Sequence, residues 1–177
     1  ERTYRLTRAA LEIFLEAGFT PVILTRGARV VDDLDILRKF PVAAVGFSIP
    51  TADDAVRRAF EPGADPVEER FEALEACHRA GLRTFCVVQP VLPMNVARLV
   101  ERVAPFVRAV RIDRMHQIER HLPLYQAADR ADAADPAFFE RMERELREGF
   151  ARHHIAIDDL DDLGGIVGGK EGRACLQ

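Results

Sequence analysis

The sequence predicts an α/β fold, a partial (βα) barrel of parallel strands followed by a C-terminal helical extension. Three features carry that expectation. Short apolar runs at residues 21–25, 42–48, 84–91 and 109–113 suit strands covered on both faces. Amphipathic segments with helical spacing alternate with them. The resulting β-α-β-α-β-α-β order implies parallel strands joined by right-handed crossovers, in a barrel or an open doubly wound sheet.

Each element has its own local signal. Over residues 6–18, Leu6, Ala10, Ile13, Phe14 and Ala17 share one helical face, and Gly18 is the expected left-handed stop. After the first apolar run, Asp32 is expected to cap a helix to about Lys39, because its carboxylate accepts free amide hydrogens of a first turn. Thr51 to Asp54 resembles a capping box with Asp in place of Glu, opening a helix to about Phe60. Residues 61–66 are a loop. Asp65 is the expected cap of the next helix and Pro66 suits its first position, where no amide hydrogen is needed. That helix runs over residues 67–80, buries Phe71, Leu74 and Cys77, and stops at Gly81. Residues 95–104 are the next helix.

The remainder has a different character. Residues 116–125 suit a short helix and 129–135 a polar, acidic connection. Asp135-Pro136 opens a longer helix to about His153, with Phe138, Phe139, Met142, Leu146 and Phe150 as its apolar stripe. Ile155 to Ile157 fits one more short strand, and the tail is acidic and then glycine-rich. The expected organisation is therefore a barrel portion over 1–128, a helical extension over 129–157 and a tail over 158–177.

Composition narrows the function classes. At 177 residues the chain is one domain or a piece of a larger one. Basic residues number 25 and acidic ones 29, for a net charge of −4, so charge gives no indication of a nucleic-acid partner. No apolar run reaches the length of a membrane span, so no membrane partner is expected. Glu1 opens the sequence without a basic or apolar leader, so no signal peptide is expected. Three cysteines cannot form a disulfide framework, and their odd number favours reduced thiols in the cytoplasm.

In parallel βα units, ligands sit beyond the C-terminal strand ends. The ends here are Thr25-Arg26-Gly27, Ser48 to Thr51, Gln89 to Asn95 and Asp113 to His116. Arg26 offers a planar donor fork for a carboxylate or phosphate, and Ser48 and Thr51 offer hydroxyls. Position alone makes each equally a loop or cap residue, Thr51 foremost. Glu61 and Arg70 flank one interhelical loop. A buried pair would hold that loop, Arg70 could instead meet a ligand carboxylate, and a surface pair would contribute little.

Residues 4–113 carry a recognisable succession: Thr25-Arg26-Gly27, Gly46-Phe47-Ser48-Ile49, the run from Phe60-Glu61-Pro62 through Arg70 to Leu74, His78 to Thr84, and Gln89-Pro90-Val91-Leu92-Pro93-Met94-Asn95. This resembles the radical S-adenosylmethionine superfamily, in its spore photoproduct lyase-like branch. The match covers roughly 110 of 177 residues and corresponds to the second half of that family's partial barrel. The resemblance implies an enzyme that uses a [4Fe–4S] cluster to cleave S-adenosylmethionine reductively and start radical chemistry on a substrate the sequence does not identify. It also implies a small-molecule cofactor and a reductant protein as partners. The cofactor-binding residues it implies are Arg26, Ser48, Glu61 and Arg70. Arg26 stands where the family has a Lys, Ser48 where it has a polar residue near the ribose or amino acid, and Glu61 and Arg70 in its Glu-Pro loop. The catalytic residue is not identified.

The family's Cys-x3-Cys-x2-Cys cluster motif has no match. Cys77, Cys86 and Cys175 stand 9 and 89 residues apart, and Cys77 and Cys86 read as buried core thiols. The Gly-Gly-Glu stretch that meets the cofactor's amino group is also missing. The expectation is that two βα units and the cluster ligands lie upstream of Glu1, with no metal ligand in this chain, which alone is then inactive. The competing reading is a non-catalytic α/β domain that binds a ligand or a protein. Gly164 to Lys170 fits a phosphate loop, but Glu171 stands where Ser or Thr is needed for magnesium, so a flexible tail is expected. His116 and His121 are five apart and share no helical face, and His153-His154 ends a helix, so neither pair implies a metal site.

Overall fold

A computed structural model describes residues 3–157. Five parallel strands form one sheet in the order β1 (Val22–Thr25), β2 (Ala44–Ser48), β3 (Arg83–Val88), β4 (Ala109–Ile112) and β5 (Ala156–Ile157). Spatial order equals chain order. Every crossover therefore steps to the next strand in the same direction, as in a barrel wall, whereas a doubly wound sheet reverses at a switch point. The sheet is open, with β1 and β5 at its edges among the described residues.

The two faces of the sheet are unlike. On the helix side, Val45, Phe47, Cys86, Val88, Val110 and Ile112 enter the main core. Phe71, Leu74 and Cys77 of α4 (Val67–Arg79), Leu99 and Val103 of α5 (Val96–Val103), and Leu146 and Phe150 of α7 (Pro136–Arg152) join the same core. The opposite face holds a smaller cluster, Ala44, Phe85, Val87 and Ala109. Leu24, Gly46, Phe85 and Ala109 form one rung of register. A side chain on Gly46 would put its Cβ 2.1 Å from the Phe85 ring, so the glycine makes room for Phe85 to cross the rung.

Several local signals act as the sequence suggests. Gly81 ends α4 with φ +85°. Asn95 caps α5 by accepting from the Arg98 amide at 3.0 Å, and Asp135 caps α7 by accepting from Ala137 at 2.8 Å. The segment ahead of α7 folds as α6 (Ile118–Ala127) and a short 3-10 turn. The Gly164 to Lys170 stretch and Cys175 lie outside the described residues.

Other expectations need correction. Asp32 caps nothing: a 3-10 turn over Ala28–Asp33 leads into the one-turn α2 (Leu34–Leu37), and Asp32 instead pairs with Arg29 at 2.7 Å. The cap of α3 (Asp54–Phe60) is Asp53, whose extended backbone lets its carboxylate accept from Ala55 at 2.8 Å. Thr51 is displaced from that role because its hydroxyl donates to the Pro93 carbonyl at 2.7 Å, tying the β2 and β3 loops together. Asp65 does not cap α4, and Pro66 is the N-cap residue rather than the first helical one. In α1 (Leu6–Glu16), Leu11 is the buried residue, while Leu6, Ile13 and Phe14 are 68%, 64% and 42% exposed. With Val22 and Leu24 they leave the β1 edge flanked by apolar surface.

Candidate functional site at the strand mouth

The C-terminal ends of β1, β2 and β3 and the loop after β4 surround a cavity of about 500 Å3. Arg26, Ser48, Val87 and Gln89 line it from the strand ends, and Arg114, Met115, His116 and His121 close it from the β4 side. The crossovers build this convergence, since each parallel strand delivers its C-terminus to the same end of the sheet.

Behind Arg26 lies a buried charge network. The Arg26 guanidinium is half exposed; its Nε donates to Ser48 Oγ at 3.3 Å and sits 3.1 Å from Glu61 Oε1. Glu61 receives a hydrogen bond from Arg70 Nη1 at its other oxygen, also at 3.1 Å. Arg70 is fully buried and further donates to the Ser48 carbonyl at 3.0 Å and the Asp65 carbonyl at 2.9 Å. The Asp65 carboxylate then accepts from the Ala28 amide at 2.7 Å, fastening the loop after β1 to the loop between α3 and α4. One buried arginine thus ties the end of β2 to that interhelical loop, and Glu61 links it to Arg26. The pair is buried, so the surface-pair reading of Glu61 and Arg70 does not hold.

Two polar atoms in this network are left over. Glu61 Oε1 is buried and attracted to Arg26, but no donor is aligned on it, and Arg70 Nη2 is buried without an acceptor. Neither Glu61 nor Arg70 lines the cavity; they stand behind the residues that do. A second clasp reinforces the same loop. Asp54 accepts from Arg57 Nε at 3.0 Å and from the Val67 amide at 3.2 Å, so it takes over the capping of α4 from thirteen residues away. The Arg57 hydrogen bond holds the Asp54 carboxyl below its ordinary range, with the Val67 amide adding to it.

The β4 side is looser. Asp113 pairs with Arg111 and with His116, both at 3.4 Å, and accepts from the Arg114 amide at 2.9 Å. Arg114 itself is exposed. The strand-end rule brings Asp113 to His116 to the mouth, although the sequence alone assigns none of them a ligand. Applying the strand-end rule to β4 as strictly as to β1 and β2 would have found Arg114 and His116. His121 arrives from α6, which no periodicity argument brings to the mouth.

Cys77 and Cys86 are core thiols. Burial pushes both up to about 12, which disfavours the thiolate a metal requires. Among the described residues no group of three His, Cys, Asp or Glu side chains could hold a metal ion, and no helix is long and apolar enough to cross a membrane.

Comparison with known proteins gives this geometry a context. A model of the radical SAM superfamily matches residues 1–103. The chain is 26% identical over 108 residues to an uncharacterized protein of Methanocaldococcus jannaschii, covering 60% of this chain and 41% of that one. It is 33% identical over 96 residues to an uncharacterized protein of Acidianus two-tailed virus, covering 54% and 32%. It is 27% identical over 109 residues to a radical SAM Nalpha-GlyT isomerase of Pseudomonas phage M6, covering 59% and 23%. The chain thus spans less than half the length of each of these relatives.

Proposed function

Because this chain belongs to the radical SAM superfamily, we propose that its strand mouth holds S-adenosylmethionine as part of a radical enzyme. The observation that supports this most is the cavity lined by Arg26 and Ser48 with Glu61 and Arg70 fixed behind them. Its lining suits the cofactor in chemical type: a guanidinium and a hydroxyl for the carboxylate and ribose, and Leu24, Val87 and Met115 for apolar contact. Arg26 pairs with the cofactor carboxylate and Ser48 hydrogen-bonds its amino-acid or ribose part. Glu61 and Arg70 act as positioning residues, keeping Arg26 and the end of β2 in place.

The described cysteines do not fit a [4Fe–4S] cluster, since both thiols are buried and protonated in the core. The cluster, which supplies the electron for reductive cleavage when bound, would take its thiolates from outside the described residues. In this reading the barrel portion over 1–128 carries the cofactor wall, 129–157 is an extension packed on it, and a reductant protein serves the enzyme in the cytoplasm. Assignment to the spore photoproduct lyase-like branch rests on the Glu61-Pro62 loop, Arg70 and the proline-rich end of β3.

The lack of usable thiolates among the described residues favours one second reading, a non-catalytic domain that binds a ligand at the same mouth. Anaerobic incubation with S-adenosylmethionine and a reductant separates the two. The enzyme reading expects 5′-deoxyadenosine from a protein carrying this chain together with a cluster-bearing segment, and none from this chain alone. Failure of the first to form it would leave the binding-domain reading.

A further inference from the structure

A second cavity, of about 280 Å3, lies between the loop after β4, α6 and the start of α7. Arg114, Met115 and His116 line both this cavity and the strand mouth, so one short segment separates the two. The far walls are apolar, with Val91, Ile118, Phe138 and Phe139. Its size lies below the range typical of drug-sized ligands and suits a single ring.

Two polar groups there have no partner among the described residues. Tyr125 lines the cavity, is 1% exposed and is held edge-to-face by Phe60 at 4.8 Å between centroids. Its hydroxyl makes no hydrogen bond among the described residues and is not one of their fully enclosed unpaired atoms, so it is open to a partner in the cavity. The Arg114 guanidinium also has no acidic partner among the described residues, whereas neighbouring His116 is on Asp113. The acids on the same wall do not answer Arg114: Asp135 is engaged in capping α7, and Glu119 sits exposed in the first turn of α6.

We propose that this second cavity is a substrate subsite for an aromatic anion whose ring carries a hydrogen-bond acceptor. The ring lies among Ile118, Phe138 and Phe139, its acceptor receives the Tyr125 hydroxyl, and its anionic group pairs with Arg114 at the shared wall. This deepens the reading of the strand mouth as the cofactor site and rests on it, since it sets the substrate beside the cofactor.

The test titrates nicotinate, which has a ring acceptor, and benzoate, which has none, into the whole chain while amide resonances are followed. Both acids are expected to shift Ile118, Tyr125 and Phe138. Arg114→Ala, at an exposed position, should weaken both about ten-fold or more, as expected for a charge-assisted hydrogen bond. Tyr125→Phe should weaken nicotinate about two- to ten-fold and leave benzoate unchanged. No shift at α6 and α7, or unaltered binding to Arg114→Ala, overturns the subsite; equal losses for both acids in Tyr125→Phe overturn the role given to its hydroxyl. A parallel titration with S-adenosylmethionine keeps the two readings distinct. Shifts at Arg26 and Ser48 with none from the acids sink the subsite alone, and no shift from the cofactor sinks the reading beneath it.

Discussion

The two sides of the strand mouth are built on opposite plans. On the β1–β2 side, Arg26, Ser48, Glu61, Arg70, Asp65 and Ala28 form one chain of contacts, with Arg70 fully buried at its centre. On the β4 side, Asp113 is shared between Arg111 and His116 at long distances, and Arg114 stands exposed. A fixed set of donors suits a ligand that never changes, because its ordering cost is met when the protein folds. An exposed arginine without an acidic partner among the described residues keeps its guanidinium available to a ligand that comes and goes. This difference supports the proposal that the β1–β2 side holds the cofactor and the β4 side meets the substrate.

The largest expected contrast is in stability. Arg70→Met leaves the buried Glu61 carboxylate with only the half-exposed Arg26 beside it and should cost about 3–5 kcal/mol, as is usual when one member of a buried pair is removed. Arg114→Met, at an exposed position, should stay within about 0.5 kcal/mol. Urea unfolding midpoints of the two variants decide it, and equal losses would erase the distinction between the two sides.

Cofactor affinity sharpens the comparison next. Arg26→Ala should weaken S-adenosylmethionine binding about ten- to a hundred-fold, for a charge-assisted bond worth roughly 1.5–3 kcal/mol. Its effect on stability should be small, because the side chain is half exposed. Ser48→Ala removes a neutral hydroxyl and should cost about 0.5–1.5 kcal/mol of binding. Calorimetric titration of both variants checks the order, and a Ser48 effect larger than that of Arg26 would reverse the roles given to them.

The smallest effect concerns pH. The Asp54 carboxyl is held down in the folded protein, mainly by the Arg57 hydrogen bond. A depressed folded value means the contribution is present above the unfolded value, near 3.9, and is lost as pH falls through the folded one. Protection of the Val67 amide against hydrogen exchange should therefore decline on acidification below about pH 4. Val67 protection in Asp54→Asn equal to that of the unaltered chain near neutral pH would show that Asp54 is not what holds the start of α4.

How much of this was legible in the sequence depended on the range of the interaction. Asn95 and Asp135 cap the helices that directly follow them, and both are readable from three or four residues of text. Asp32, Asp54 and Asp65 look equally suited to local capping. Yet Asp65 serves Ala28 across 37 positions and Asp54 serves Val67 across 13, because loops that are distant in sequence meet at the strand mouth. The α1 pattern failed for another reason. Its sequence carries apolar residues on two faces, and only the packing of α1 on α2 decides that Leu11 faces inward. In the site, Arg26 and Ser48 were legible from the strand-end rule, whereas the separation of lining residues from supporting ones was not. Burial of Arg70 and Glu61 comes from the fold of the loop that encloses them, which spacing does not encode.

The central claim is that the β1–β2 side of the mouth holds S-adenosylmethionine, and a map of amide shifts on adding that cofactor to the chain tests it most directly. Shifts concentrated at Arg26, Ser48 and Gln89, and sharply reduced in Arg26→Ala, are the expected result. No saturable shifts at all, or shifts confined to another surface such as the groove between α5 and α7, would contradict it.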